Sequence, residues 1–253
     1  MECKKALSEA GGDLRKAEAL LRIKSGAKAS KAAGRIAAEG VIGAWLSADA
    51  RTGALVEVNC ETDFVARNEE FLEFARSLAE AVGTQNPKDV AQLSSASIEA
   101  RRQSLVQKIG ENITLRRIRR IQASGRLALY LHGAKIGVLV DFEGPDELGR
   151  DLAMHVAFAR PAYLAKSEVA ADVVSREREI QAARAKASGK PPEIAARMVE
   201  GALNKFLGEI ALLGQPFVKD DKQTVEKILA ARKGKVHAYA FLVVGEGLGK
   251  NLH

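Results

Sequence analysis

Residues 55–68, LVEVNCETDFVARN, constrain this chain more than any other stretch. Over 55–61 the alternation puts Leu55, Glu57, Asn59 and Glu61 on one face of a strand and Val56, Val58 and Cys60 on the other. Thr62 and Asp63 end that strand, because both side chains compete for local backbone hydrogen bonds and favour helix starts. A helix is predicted over 65–82, where Phe71, Phe74, Leu78 and Val82 recur at spacings of three and four. Asp63 and Phe64 therefore stand at a strand-to-helix corner, ahead of the apolar stripe. Two readings of the corner stay open. In one, Asp63 caps the helix and Phe64 packs as a hydrophobic staple; in the other, the acid and the ring form a contact wedge.

A chain of 253 residues with 47% hydrophobic side chains supports one large domain or two to three small ones around a packed core. Cys3 and Cys60 form no C-x-x-C pair, which argues for a reducing compartment and against a disulfide framework or cysteine zinc site. The start, MECKKALSEAGG, holds no apolar signal core, and the most apolar region, 127–140, is broken by His132 and Lys135. A soluble, cytoplasmic protein is expected. The formal charge of +7 raises nucleic acid as a partner, with basic clusters at Lys24, Lys28, Lys31 and Arg35 and at Arg116, Arg117, Arg119 and Arg120. Only 5% of residues are aromatic, so stacking platforms for single strands are few, and most of the surplus reads as solvated surface. The alternative function is an RNA-binding accessory protein acting through 24–35 and 116–120, with affinity falling steeply in salt.

Along the chain, residues 1–22 read as two short helices, broken at Gly11-Gly12 and capped by Asp13. Two such helices cannot bury both faces alone, so a third is expected upstream. Residues 23–40 are rich in Ala, Gly, Ser and Lys and read as a linker or a weakly anchored helix. A β region over 41–60 turns at 48–53, and a second helix is expected at about 89–110. ITLRRIRRI (113–121) fits strand and helix equally. A β-hairpin over 127–142 turns at 132–135, and a helix over 146–159 ends before Pro161. Residues 168–186 and 193–212 form an antiparallel helical hairpin, Pro192 suiting a helix start, and a last strand runs over 235–244. Strand VEVNCE with helix FLEFARSLAEAV, and strand VLVDFEG with helix LGRDLAMHVAFA, suggest an internal repeat.

Nothing in these elements predicts covalent chemistry. His132, His155, His237 and His253 show no metal-ligand spacing, and no phosphate loop or nucleophile elbow occurs. VGEGLGK (244–250) follows the last strand with no helix behind it, unlike a true phosphate cradle. His155 reads as a packing residue at the edge of a helical stripe, whereas His132 sits at a hairpin tip where side chains face solvent.

VNCETDFVARN resembles the signature of the bacterial elongation factor Ts family. MECKKAL (1–7), KIGENI (108–113), LHGAKIGVLV (131–140), MHVA (154–157), GKPPEIAARMVEG (189–201), GQPFV (214–218) and VGEG (244–247) match further family phrases, in the family's order. The resemblance implies an α+β fold. A partial ubiquitin-associated-like helical domain (1–23) and a basic linker (24–40) would precede two similar α/β subdomains with antiparallel sheets, 41–126 and 127–253. The second would carry the projecting helical hairpin at about 168–212. It also implies a strand over 113–121, a helix ahead of Met1, and further residues beyond His253 in many members.

The implied function is exchange of GDP for GTP on elongation factor Tu, with no covalent chemistry, no cofactor and no metal of its own. The T-D-F corner would disturb the magnesium and phosphate side of the partner's nucleotide pocket. Phe64 would insert between partner side chains and Asp63 would act at the same place, with Thr62 and Val65 framing them. Ile109, Gly110 and His132 match further contacts near the phosphate loop, Val218 and Lys219 a second surface, and Lys4 a third. Lys219 stands where some members carry an apolar residue. Monomer and homodimer both remain open.

Overall fold

The structure, a computed structural model, describes residues 2–248. It opens with helices α1 (Glu2–Glu9) and α2 (Leu14–Ala32). Gly11 and Gly12, at φ 61° and 87°, make the break, and Asp13 caps α2 by accepting the Lys16 N–H at 3.1 Å. Of the two readings left for 23–40, helix holds as far as Ala32. Small side chains make this possible: Ser25, Ala29 and Ala32 are buried, which lets α2 lie against α6 (Ala96–Ile109).

Strands β1 (Glu39–Leu46) and β2 (Thr52–Cys60) pair antiparallel, with Val41 opposite Val58 and Glu39 opposite Cys60. β3 (Thr114–Gln122) pairs along the other edge of β2, so ITLRRIRRI is strand. Between β2 and β3 lie α3 (Asp63–Ala66), α4 (Glu69–Gln85), α5 (Val90–Leu93) and α6. The single helix predicted over 65–82 is thus two elements. Asn68 breaks it, its side chain accepting the Glu70 and Phe71 N–H groups at 3.0 and 3.2 Å. The helix expected over 89–110 divides in the same way, where Ser95 caps α6.

The second sheet has the order β4-β5-β8, from β4 (Arg126–His132), β5 (Ile136–Glu143) and β8 (Lys235–Val243). Between β5 and β8 come α7 (Asp146–Ala159), α8 (Ala171–Ala187), α9 (Pro192–Ile210), β6 (Pro216–Phe217), β7 (Asp220–Thr224) and α10 (Val225–Ala231). α8 and α9 form the antiparallel hairpin, with Pro192 at the first turn of α9 and Arg178 paired to Glu200. Ten α-helices and three small antiparallel sheets among the described residues make the fold α+β.

The chain divides into two compact units. The first runs to Gln122 and takes in Leu131–Leu139 and the segment from Ala240; the second is Ala123–Tyr130 with Val140–Tyr239. In the first unit Val56, Val58 and Cys60 of β2 meet Phe71, Phe74, Leu78 and Val82 of α4 in one core. Gly43 lets α4 approach β1: a Cβ there would lie 2.3 Å from the Ala75 carbonyl oxygen. The opposite face of β2 is buried as well, Glu57 and Asn59 included. Alternation therefore sorted the two faces of β2, but it did not sort core from solvent.

Candidate functional site

β2 ends at Cys60, and the chain turns through Glu61 into α3. Thr62 is extended at φ −123° and ψ 156°, and its Oγ1 accepts the Val65 N–H at 3.4 Å. Thr62, not Asp63, is therefore the cap. Asp63 occupies the first turn, where a carboxylate is favoured by the helix dipole, and pairs with Arg67 at 3.1 Å. Val65 and Ala66 are buried beneath the corner, whereas Phe64 is 80% exposed. The staple reading fails: the ring is held out to solvent.

What fixes the corner lies some fifty residues further along the chain. Glu111 Oε2 accepts the N–H groups of Glu61 and Thr62, both at 3.0 Å, and Glu111 Oε1 accepts the Thr62 hydroxyl at 2.6 Å. Glu61 returns the arrangement, its carboxylate accepting the Asn112 N–H. Arg35 joins both strands of chain, lying 3.2 Å from the Glu61 carboxylate and donating to the Gly110 carbonyl at 2.8 Å. Asn112 Nδ2 donates to the Arg35 carbonyl at 2.7 Å. Ile109 closes α6 against the core, and Gly110 caps it in the left-handed region at φ 89°. Cys60, beside this network, is inert at neutral pH: burial, with the Glu111 charge adding, pushes its thiol up to about 12.

His132 is exposed at the tip of the β4–β5 hairpin, whose turn residues Gly133 and Ala134 both have positive φ, 55° and 56°. The tip rests on β1: the Ile42 N–H donates to the Ala134 carbonyl at 2.7 Å, and Lys135 Nζ reaches Glu39 at 2.8 Å. Glu39 lies opposite Cys60 in register. Thr62–Val65 and Ile109–Gly110 thus meet beyond the Cys60 end of β2, and the hairpin that carries His132 rests on β1. Lys4 is exposed on α1, which packs on α2.

Val218 and Lys219 belong to the second unit, in the turn between β6 and β7. The Val218 N–H donates to His155 Nδ1 at 3.1 Å, which leaves the proton on Nε2 to donate to Gln215 Oε1 at 3.0 Å. Phe217 stacks on the same ring. His155 is 1% exposed; burial pushes its pKa below the usual histidine value, with the Gln215 bond opposing. Lys219 pairs with Asp151 at 2.5 Å, and Asp151 also faces Arg232 at 3.3 Å. His155 does pack, as its place in α7 suggested, but it also positions the turn that carries Val218.

Lys24, Lys28, Lys31, Arg35 and Arg119 are exposed and Arg116, Arg117 and Arg120 half-buried, yet several of them are tied to other parts of the chain. Arg116 and Arg117 pair with Glu57, and Arg117 with Glu246. Arg120 donates to the Gly83 carbonyl, Lys28 to the Gln107 carbonyl, and Lys24 pairs with Glu9. The VGEG turn is no phosphate cradle, since the Gly245 N–H already donates to Glu57 at 2.8 Å. Sequence reasoning missed Glu111, Asn112, Arg35 and Glu57 as organisers of the site, because their bonds join distant segments, 49 residues apart for Thr62 and Glu111 and 77 for Arg35 and Asn112. His253 and the last residues of the VGEGLGK stretch lie outside the described residues.

The sequence profile of the family "Elongation factor TS" matches residues 61–246, a span that holds the corner, the 109–112 loop, the hairpin tip and the 218–219 turn. The chain is 53% identical to elongation factor Ts of Chromobacterium violaceum, covering 100% of this chain and 88% of that protein. It is 55% identical to elongation factor Ts of Nitrosospira multiformis, over 99% and 86% of the two chains. Against elongation factor Ts of Bordetella petrii the identity is 54%, over 99% and 87%. With a family profile matched over residues 61–246 and relatives 53–55% identical along nearly the whole chain, the chain belongs to the elongation factor Ts family.

Proposed function

We propose that this chain promotes exchange of GDP for GTP on elongation factor Tu by means of a wedge formed at the end of its first sheet. The exchange activity goes with the family, as do the absence of covalent chemistry and a working place in the bacterial cytoplasm. Among the described residues no helix is long and apolar enough to cross a membrane. The wedge is what the corner adds. A GTPase can hold GDP near nanomolar, about −12 kcal/mol, so unaided release is slow. An exchange factor has to bind the nucleotide-free state better than the GDP state, and by linkage nucleotide then expels the factor.

One observation carries the reading: Phe64 is 80% exposed on a corner that hydrogen bonds hold in place. Burying such a ring is worth about 1.5–3 kcal/mol, available only once a partner covers it, and aromatic residues, phenylalanine included, are enriched at protein interfaces. Phe64 inserts into the partner, and Asp63 opposes the magnesium-bound arrangement at the same place. Ile109, Gly110 and His132 extend the contact toward the phosphate loop, with Thr62 and Val65 setting the angle of the ring. Val218 and Lys219 supply a second contact surface and Lys4 a third. In domain terms the reading assigns 1–23 to a ubiquitin-associated-like segment, 24–40 to a basic linker, and 41–126 and 127–253 to two related α/β subdomains.

Release of a fluorescent GDP analogue from elongation factor Tu tests the mechanism. Wild type accelerates release, and Phe64→Ala lowers that acceleration by about tenfold or more, the effect of one anchoring contact of about 1.4 kcal/mol or greater. Acceleration that survives Phe64→Ala in a folded chain moves the mechanism to the other contacts.

A further inference from the structure

The wedge reading asks the corner to be rigid while its ring has nothing to lean on. The β2 ladder stops at Cys60, so the N–H groups of Glu61 and Thr62 have no strand partner and need another acceptor. Glu111 supplies it, taking both N–H groups on one oxygen at 3.0 Å and the Thr62 hydroxyl on the other at 2.6 Å. Because that hydroxyl donates to Glu111, its lone pair is left facing the Val65 N–H, which it caps at 3.4 Å. The Glu111 carboxylate thus orients the cap, the cap starts α3, and α3 carries Phe64. Glu61 and Asn112 close the loop from the other side, with Arg35 between them.

We propose that Glu111 is a positioning residue for exchange: it touches no nucleotide and presets the direction of Phe64 through Thr62. A ring ordered before encounter costs the complex less entropy than one ordered on binding. Displacement of such a group by about 1 Å is enough to cost ten- to a hundredfold in rate. The inference rests on the wedge reading and adds to it the residue that sets the wedge.

The experiment titrates GDP-analogue release against chain concentration, giving a saturating rate and a half-saturating concentration for each variant. Glu111→Ala lowers their ratio about tenfold. Glu111→Gln keeps one oxygen for the two N–H groups but turns an amide donor toward the Thr62 hydroxyl, which can no longer donate to it, and falls between wild type and the alanine variant. Glu111→Asp keeps the charge but withdraws the acceptor by one methylene, about 1.5 Å, and falls with the alanine variant. In a Phe64→Ala background, Glu111→Ala changes the ratio by no more than about twofold, since a positioning residue has nothing left to position. Thermal melts confirm folding, and Glu111→Asp serves the same cycle if the alanine variant does not fold.

Wild-type exchange by a folded Glu111→Ala overturns the proposal, as does full additivity with Phe64→Ala. A folded Glu111→Asp with wild-type exchange overturns it too, because charge without reach would then be enough. Phe64→Ala with undiminished exchange overturns the wedge reading itself, and this inference with it.

Discussion

At the scale of single residues, Asn68 decides where the helix behind the corner begins. Its side chain accepts the Glu70 and Phe71 N–H groups, two donors that the first turn of α4 leaves without intrahelical partners. Asn68→Ala is expected to lower stability by about 1 kcal/mol, seen as a fall in the urea midpoint at unchanged slope. A midpoint equal to wild type would mean that packing of Phe71, not the cap, starts the helix. The apolar stripe from Phe71 to Val82 is legible in the sequence, and the break before it is marked by Asn68-Glu69-Glu70, a start signal that competes with one continuous helix over 65–82. Thr62 and Asp63 are both good capping residues. Local pattern could not choose between them because the choice is made by Glu111, 49 residues away. The same holds for Phe64: whether a ring staples or projects depends on neighbours that spacing does not name.

At the scale of elements, α7 shows where periodicity succeeds and where it stops. Its bounds and its stripe of Leu148, Leu152 and Val156 agree with the pattern read from the sequence. Asp151 and His155, four residues apart and buried beside that stripe, hold Lys219 and Val218 of the β6–β7 turn, and nothing local marks those partners. The β3 segment was ambiguous for a related reason, since its pairing partner on β2 decides strand over helix. A consequence for α7 follows from the imidazole. Burial lowers the His155 pKa below its ordinary 6.5, so the folded state favours the neutral ring. The unfolded chain then takes up the proton first, and stability is full above 6.5 and falls as pH drops below it. The loss is at most about 1.4 kcal/mol per pH unit. Urea midpoints at pH 7.5 and 5.5 check this: a lower midpoint at 5.5 is expected, and an unchanged or higher one contradicts a neutral buried imidazole.

At the scale of the whole molecule, part of the basic surplus that reads as surface is internal wiring. Glu57, 0% exposed in the middle of β2, receives Arg116 at 3.0 Å, Arg117, Asn59 Nδ2 at 3.1 Å and the Gly245 N–H at 2.8 Å. Arg117 also donates to the Val243 carbonyl at 2.7 Å, so one carboxylate fastens β2, β3 and the VGEG turn within the first unit. Burial by itself would raise the Glu57 pKa; the donors from Gly245, Arg117, Asn59 and Arg116 outweigh it and hold the carboxyl below its ordinary 4.5. A depressed carboxylate contributes stability that is present above the unfolded value and is lost as pH falls through the folded one. Glu57→Gln removes the charge and leaves two guanidinium groups partly desolvated, so it is expected to cost about 2–4 kcal/mol at pH 7. That difference shrinks as pH falls below 4.5, where the carboxylate of the unfolded chain takes up its proton before the folded one does. The window lies below that of His155, so acid acts on the second unit first and on the Glu57 network later. Urea midpoints of wild type and Glu57→Gln from pH 7 to 3 decide the matter. Convergence at the acid end supports an ionised, buried Glu57, whereas a gap that stays constant would show that shape, not charge, is what the position requires.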